Sequence, residues 1–181
     1  MKLEIFLTRT KNLDIKILCE LMKNARTSDR ELAKIIGVSQ PTVTRNRWKL
    51  ESNGLVEYSA IPNLKKLGFE MLALNFINYR PEIRKDLQQN SELTRKIQAH
   101  LEKHPNVILA SSGKGKGANG VSISIHKNYS DYVNFRNDIA EEWYPYVLSV
   151  EAFIISLKSD NILRNLTFKH FGKYLKKDPQ T

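Results

Sequence analysis

One cysteine, Cys19, is the whole thiol content of the chain. That excludes an internal disulfide and a cysteine-based zinc cluster. Its place inside an apolar helical pattern reads as a small core or boundary residue. Long apolar runs are missing as well. None approaches the roughly 20 residues that cross a bilayer, and the N-terminus lacks the apolar stretch of a secretory leader. The expectation is a cytoplasmic chain with no membrane partner. Acidic residues are also scarce: 19 Asp+Glu stand against 29 Lys+Arg, a formal charge of +10 over 181 residues. Such an excess suits a polyanion, with nucleic acid first. Nor is there a Ser/His/Asp set, a nucleophile elbow or a paired-carboxylate motif, and Glu141-Glu142 reads as a solvated helix end. No residue is therefore assigned a catalytic role, and the chain is not read as an enzyme.

What is present is unevenly spread. Residues 1–60 carry 11 Lys+Arg and 7 Asp+Glu, residues 61–157 carry 12 and 10, and residues 158–181 carry 6 and 2. The pattern is a basic head, a nearly neutral body and a basic tail. Apolar residues make up 41% of the chain, enough for real cores.

The most informative stretch is 27–53, TSDRELAKIIGVSQPTVTRNRWKLESN. A first helix before it is capped by Asp14 and turns Ile17, Leu18 and Leu21 to one face. Ser28 and Glu31 then have capping-box spacing. Leu32, Ala33 and Ile36 form the apolar face of a second helix, which Gly37 ends. Ser39 caps a third helix with Pro41 in its first turn. Val43 and Leu50 face inward, seven residues apart, so Gln40, Thr44, Arg45 and Trp48 face out. A helix of this kind reads base edges in the major groove while flanking groups bind phosphate. Arg45 suits guanine and Gln40 adenine, and Thr42 and Thr44 suit thymine methyls or phosphate. The candidate DNA-binding set is Ser28, Ser39, Gln40, Thr42, Thr44, Arg45, Arg47, Trp48 and Lys49. LVEYSAIP then alternates as a short hairpin or wing would.

The second half alternates element types: a strand over 71–79, and a helix with Leu93, Ile97 and Leu101 on one face, closed by Pro105. A strand over 106–111 follows, then a half-buried strand through Val121, Ile123 and Ile125. A helix over 129–143 carries Tyr132, Phe135, Ile139 and Trp143, and a last strand runs over 147–157. The order β-α-β-β-α-β is the ferredoxin-like split pattern. The fold class is thus α+β: a winged helix-turn-helix over 1–64, a ferredoxin-like domain over 65–157 and a basic extension over 158–181. Within that extension, Lys176–Thr181 are expected to fray.

Through LDIKIL, NARTSDRELAKIIGVSQPTVTRNRWKLESNGLVEYSAIPN and LKKLGFEMLALNF, the chain resembles the Lrp/AsnC family of prokaryotic transcription regulators. The second half matches that family's ligand-sensing domain in element order. The resemblance implies a winged helix-turn-helix that binds double-stranded operator DNA. It also implies a homodimer built through the second domain, tetramers or octamers built from it, and control by an amino acid or similar small effector.

Two departures stand out. Asn46 and Arg47 occupy positions where the family usually has an aliphatic residue. Arg47 is expected to lay its stem over the core and offer its guanidinium to phosphate, with Trp48 supplying the missing apolar area. In the 111–121 loop, SSGKGKGANGV has Gly113 but lacks the acidic residue that follows it in relatives. Ser112, Gly113, Lys114 and Lys116 are the effector-binding candidates, and an anionic ligand suits them better than a standard amino acid. The same loop holds a literal G-x-G-x-x-G at Gly115, Gly117 and Gly120. A strand, VSISI, follows where a dinucleotide fold needs a helix, so no nucleotide cofactor is assigned. His100 and His104 lie at i, i+4, but the sequence shows no third ligand beside them, and no metal is assigned. Two rival functions have the same layout. One is an enzyme resembling the siroheme decarboxylases, using His100, His104, His126 and Lys114. The other is an accessory chain that binds other regulators.

Overall fold

The structure, a computed structural model, describes residues 12–83 and 91–175, with the side chains of 91–93 outside the description. The lead-in, the apolar-face position Leu93 and the fraying tail Lys176–Thr181 therefore fall outside the described residues. The chain divides into two compact units. Of the described residues, one unit holds those up to Ile61 together with those from Arg164 on, and the other holds those within Pro62–Leu163.

The first unit begins with α1 (Asn12–Lys23), α2 (Asp29–Ile36) and α3 (Gln40–Ser52). Ile17, Leu21, Leu32, Ala33, Val43 and Leu50 form its core. Burial of each larger aliphatic side chain contributes about 1.5–3 kcal/mol. Local sequence sets the helix ends. The Ser28–Glu31 capping box forms in both directions, and Gly37 closes α2 at φ 80°, where its lack of a Cβ removes the left-handed penalty. Ser39 caps α3. Asp14 is not a cap: α1 starts at Asn12, and Asp14 lies buried inside its first turn. The expected hairpin is also absent, since residues 56–63 run without strand pairing. LVEYSAIP, which Pro62 ends, has no partner strand among the described residues.

The C-terminal stretch belongs to this same unit. A short helix α6 (Gly172–Leu175) lies on α1, where Cys19 Sγ donates to the Gly172 carbonyl at 3.4 Å. A Cβ on Gly172 would stand 3.3 Å from Cys19 Cα and 3.4 Å from its carbonyl oxygen, so the strap is seated backbone to backbone. Cys19 is fully buried beneath it.

The second unit contains β1 (Met71–Tyr79), α4 (Ser91–Lys103), β2 (Val107–Gly115), β3 (Ala118–His126), α5 (Tyr129–Trp143) and β4 (Val147–Ser156). The four strands form one antiparallel sheet in the order β2-β3-β1-β4, the ferredoxin-like arrangement. Side chains alternate faces along each strand. Met71 and Ala73 pack with Tyr132 and Phe135 of α5. The opposite face carries Leu72, Leu74 and Phe76 of β1. Leu74 lies in register with Ile123 of β3 and Phe153 of β4. Phe153 is 61% exposed and Leu109 is 50% exposed.

The expected 111–121 loop is a ribbon. Strands β2 and β3 continue to Gly115 and Ala118, joined by a two-residue turn with Lys116 at φ 48° and Gly117 at φ 70°. Positive φ at both positions fits the right-handed strand twist, which is why Gly117 suits this turn. Gly120 is fixed differently: a Cβ there would meet the Tyr79 ring at 2.7 Å.

Candidate nucleic-acid interface

Helix α3 exposes one connected surface, an open depression lined by Gln40, Pro41, Thr44, Arg45 and Trp48. Val43 and Leu50 point the other way and are essentially fully buried. Gln40 and Arg45 are exposed and make no side-chain hydrogen bond or ion pair among the described residues. Trp48 is 68% exposed, so it supplies no core area, contrary to expectation.

The remaining candidates are held within the unit. Ser28 Oγ donates to Glu31 Oε2 at 2.9 Å and accepts from the Glu31 N–H. Ser39 Oγ and Thr42 Oγ1 share a hydrogen bond at 2.8 Å. Thr44 Oγ1 donates to Asp29 Oδ2 at 2.7 Å, leaving mainly its methyl to the outer face.

Arg47 is the largest departure. Its Nε donates to Tyr58 Oη at 3.0 Å and Glu51 Oε1 at 3.2 Å. One terminal nitrogen reaches Asp29 Oδ1 at 3.0 Å and the Thr27 carbonyl at 3.2 Å, and the other reaches the Ala25 carbonyl at 3.3 Å. Tyr58 Oη also donates to Glu51 at 2.8 Å. The aliphatic site has become an ionic staple. It ties α3 to the α1–α2 turn, to the start of α2 and to the extended segment after α3. The guanidinium is therefore directed into the unit rather than toward phosphate. Burial alone would raise the Asp29 carboxyl, but hydrogen bonds from Thr44 and Arg47, with the Arg47 charge, hold it below its ordinary value. Burial likewise opposes the Arg47 charge, yet Asp29 and Tyr58 raise its pKa further. Burial, with the bond to Glu51, raises the Tyr58 phenol. Lys49 is likewise turned inward, with Nζ 2.8 Å from Oδ2 of Asp14. Of the nine candidates, Gln40, Arg45 and Trp48 are exposed with no side-chain hydrogen bond or ion pair among the described residues, whereas Ser28, Ser39 and Thr44 are exposed but hydrogen-bonded within the unit.

Comparison with known proteins places the chain among similar ones. Residues 11–57 match the model of the winged helix-turn-helix DNA-binding family. Over 67 residues the chain is 40% identical to the HTH-type transcriptional regulator LrpA of Pyrococcus abyssi, a match covering 36% of this chain and 48% of that protein. The chain thus spans about half the length of the LrpA relatives it matches. Over 137 residues it is 29% identical to the HTH-type transcriptional regulator Ptr1 of Methanocaldococcus jannaschii, covering 75% and 82% of the two chains. The structure of Escherichia coli AsnC superposes with a TM-score of 0.63 at 24% identity, covering 86% of this chain and 97% of that one. A transcriptional regulator from Neisseria meningitidis, solved with L-Met, gives 0.69 at 19% identity, covering 89% and 98%. The chain has the Lrp/AsnC architecture.

Within that Lrp/AsnC frame, the effector candidates lie on the edge ribbon. Ser112, Gly113 and Lys114 are exposed on β2, and Lys116 sits in the turn with Nζ 5.7 Å from the Phe76 ring centroid. The glycine triplet is strand, turn and strand, which removes the dinucleotide reading. The histidines named for the enzyme reading lie elsewhere. His126 is fully buried and His100 is 7% exposed. His126 contacts Tyr132 and Phe135, His104 contacts Phe135 and His100, and His100 contacts Trp143, with centroid separations of 4.4–5.4 Å. This row of rings is core between sheet and helices. Beneath it Asn75 Nδ2 donates to Ser122 and Ser124, and His126 Nε2 lies 2.9 Å from Ser124 Oγ. Asn75 Oδ1 is buried with no hydrogen-bond partner among the described residues, at a cost of about 1–3 kcal/mol, and His126 Nδ1 makes no hydrogen bond but lies 3.7 Å from Asp131 Oδ2. Burial lowers the pKa of both His100 and His126.

Sequence reasoning missed Asp29, Tyr58 and Glu142 as interacting groups. Each meets its partner across 11–42 positions of chain, a separation at which no local pattern signals a contact.

Proposed function

We propose that this protein is a sequence-reading transcription regulator, with α3 entering the major groove of double-stranded DNA. The observation that carries this reading is the α3 surface: Gln40, Arg45 and Trp48 stand exposed beside Pro41 and Thr44, while the neighbouring hydroxyls and cations are engaged by partners within the unit. Arg45 is the base-reading cation, bidentate to guanine, and Gln40 reads an adjacent base. Trp48 packs against sugar or a thymine methyl. The N-terminus of α3 faces phosphate. The capped hydroxyls and Arg47 hold the helix at a fixed rotation.

The acting species is a homodimer joined through the open sheet face, where Leu72, Leu74, Phe76, Ile123 and Phe153 form an apolar patch uncovered by the unit's own helices. A two-fold dimer of readers matches a pseudo-palindrome with half-sites one helical turn, or a multiple, apart. A small effector at the ribbon residues Ser112, Gly113, Lys114 and Lys116 belongs to the same reading.

Selection of bound sites from random duplex DNA tests it. The expected product is a symmetric motif whose affinity falls steeply with salt. Recovery of no enriched motif, with equal binding to all fragments, would refute base reading.

A further inference from the structure

We propose that His100, His104 and Glu142 form a binding site for a first-row divalent transition ion, with zinc as the reference case. The site rests on the second unit alone and is independent of the DNA reading.

His100 lies in the last turn of α4 and His104 directly follows its final residue, Lys103, and the two rings stand side by side with centroids 4.4 Å apart. The third donor comes from α5: Glu142 Oε2 lies 2.8 Å from His100 Nδ1. One ligand atom from each of the three residues lies within 4.8 Å of the others. Donors about 2.0–2.2 Å from a tetrahedral ion stand about 3.3 Å apart. The His100–Glu142 pair, at 2.8 Å, is about half an ångström shorter than that separation. The His104 ring is half-buried and Glu142 is exposed, so modest side-chain rotation closes the remainder.

Two imidazoles and one carboxylate are a known donor set for zinc sites that keep an open fourth position. The exposed Glu142 side leaves that position to water. The rings are also held from behind, as ligand rings need to be. Trp143 meets His100 edge-on at 5.1 Å, and Phe135 meets His104 at 5.4 Å. The competing cation, Lys103, is 3.3 Å from Glu142 Oε1 in an exposed pair. Such a pair contributes little, so an ion displaces it readily.

Trp143 reports on the site directly, because it touches His100. In a tag-free, chelator-treated Trp48→Phe chain it is the only tryptophan. Titration with Co²⁺ is expected to quench its fluorescence saturably at one ion per chain, and Zn²⁺ is expected to reverse the quenching by competition. His104→Gln and Glu142→Gln are each expected to weaken Co²⁺ binding at least about tenfold. Circular dichroism of each metal-free variant serves as the control for folding, and Glu142→Gln changes an exposed side chain. Absence of saturable quenching at millimolar Co²⁺ overturns the site, as does unchanged affinity in either folded variant.

Discussion

Replacing Arg47 by Met keeps the aliphatic stem over the core and removes the fork. The lost interactions differ in worth. The Asp29 pair is only about a fifth exposed on each side, so its charge-assisted bond contributes about 1.5 kcal/mol. The Glu51 pair is 39% exposed on the carboxylate side and contributes about 0.5 kcal/mol. The bonds to the Thr27 and Ala25 carbonyls add about 1 kcal/mol together. Asp29 retains Thr44, and Glu51 retains Tyr58, so neither carboxylate is stranded. The net cost is about 2–3 kcal/mol. With an m-value of about 1 kcal/mol/M for a unit of this size, the urea midpoint falls by about 2–3 M. Trp48 fluorescence in a Trp143→Phe background follows the first unit alone. Arg45→Met, at an exposed position, is expected to move that midpoint by no more than about 0.5 kcal/mol equivalent. DNA affinity separates the two residues a second way: Arg47→Met, corrected for the folded fraction, keeps the salt slope of the wild type. An unchanged urea midpoint, together with a salt slope reduced by about one, would show that Arg47 is a phosphate contact and that the staple reasoning is wrong.

Four further outcomes follow from the same geometry. Arg45→Ala should lose about 1–3 kcal/mol at one base position and relax preference only there, as read by competition binding with single-base operator variants. Burial holds His100 and His126 below the ordinary value of 6.5, so the unfolded chain takes up protons first as pH falls. Stability of the second unit should therefore be full above about pH 7 and decline toward about pH 5, in urea melts followed by Trp143, with a shallower decline in His126→Gln. Phe153→Asp should convert the proposed dimer to monomer in sedimentation while circular dichroism is unchanged; a persistent dimer would place the interface elsewhere. Gly172→Val should unseat the strap from Cys19, at about 1–3 kcal/mol, and make Arg164–Leu175 labile to limited proteolysis under conditions that leave the wild type uncut.

Local chemistry made several elements readable without any tertiary knowledge. The Ser28–Glu31 box, Gly37 and Ser39 act over three or four residues, so α2 and α3 form where their residues say. The 71–79 strand and the 129–143 helix have long, regular apolar periods, and both appear with those bounds. The inward turn of Val43 and Leu50 and the outward turn of Gln40, Arg45 and Trp48 follow from helical spacing alone. The fate of the other candidates was decided at a distance. Whether Arg47 and Lys49 face DNA or the core depends on Asp29, Tyr58 and Asp14, which arrive only when the three helices pack. LVEYSAIP has strand-like alternation, but a strand also needs a partner, and none meets it among the described residues. The basic 111–121 run reads as a loop by composition, yet pairing of β2 with β3 turns it into a ribbon. Glu142, placed in sequence as a solvated helix end, is brought to His100 and His104 by the packing of α4 beside α5. The sequence by itself determined the elements and the outward face of the reading helix, because those depend on neighbours in the chain. Which charged groups are consumed inside each unit was decided by the tertiary structure, because a charge is satisfied by whatever the fold brings within 3 Å of it.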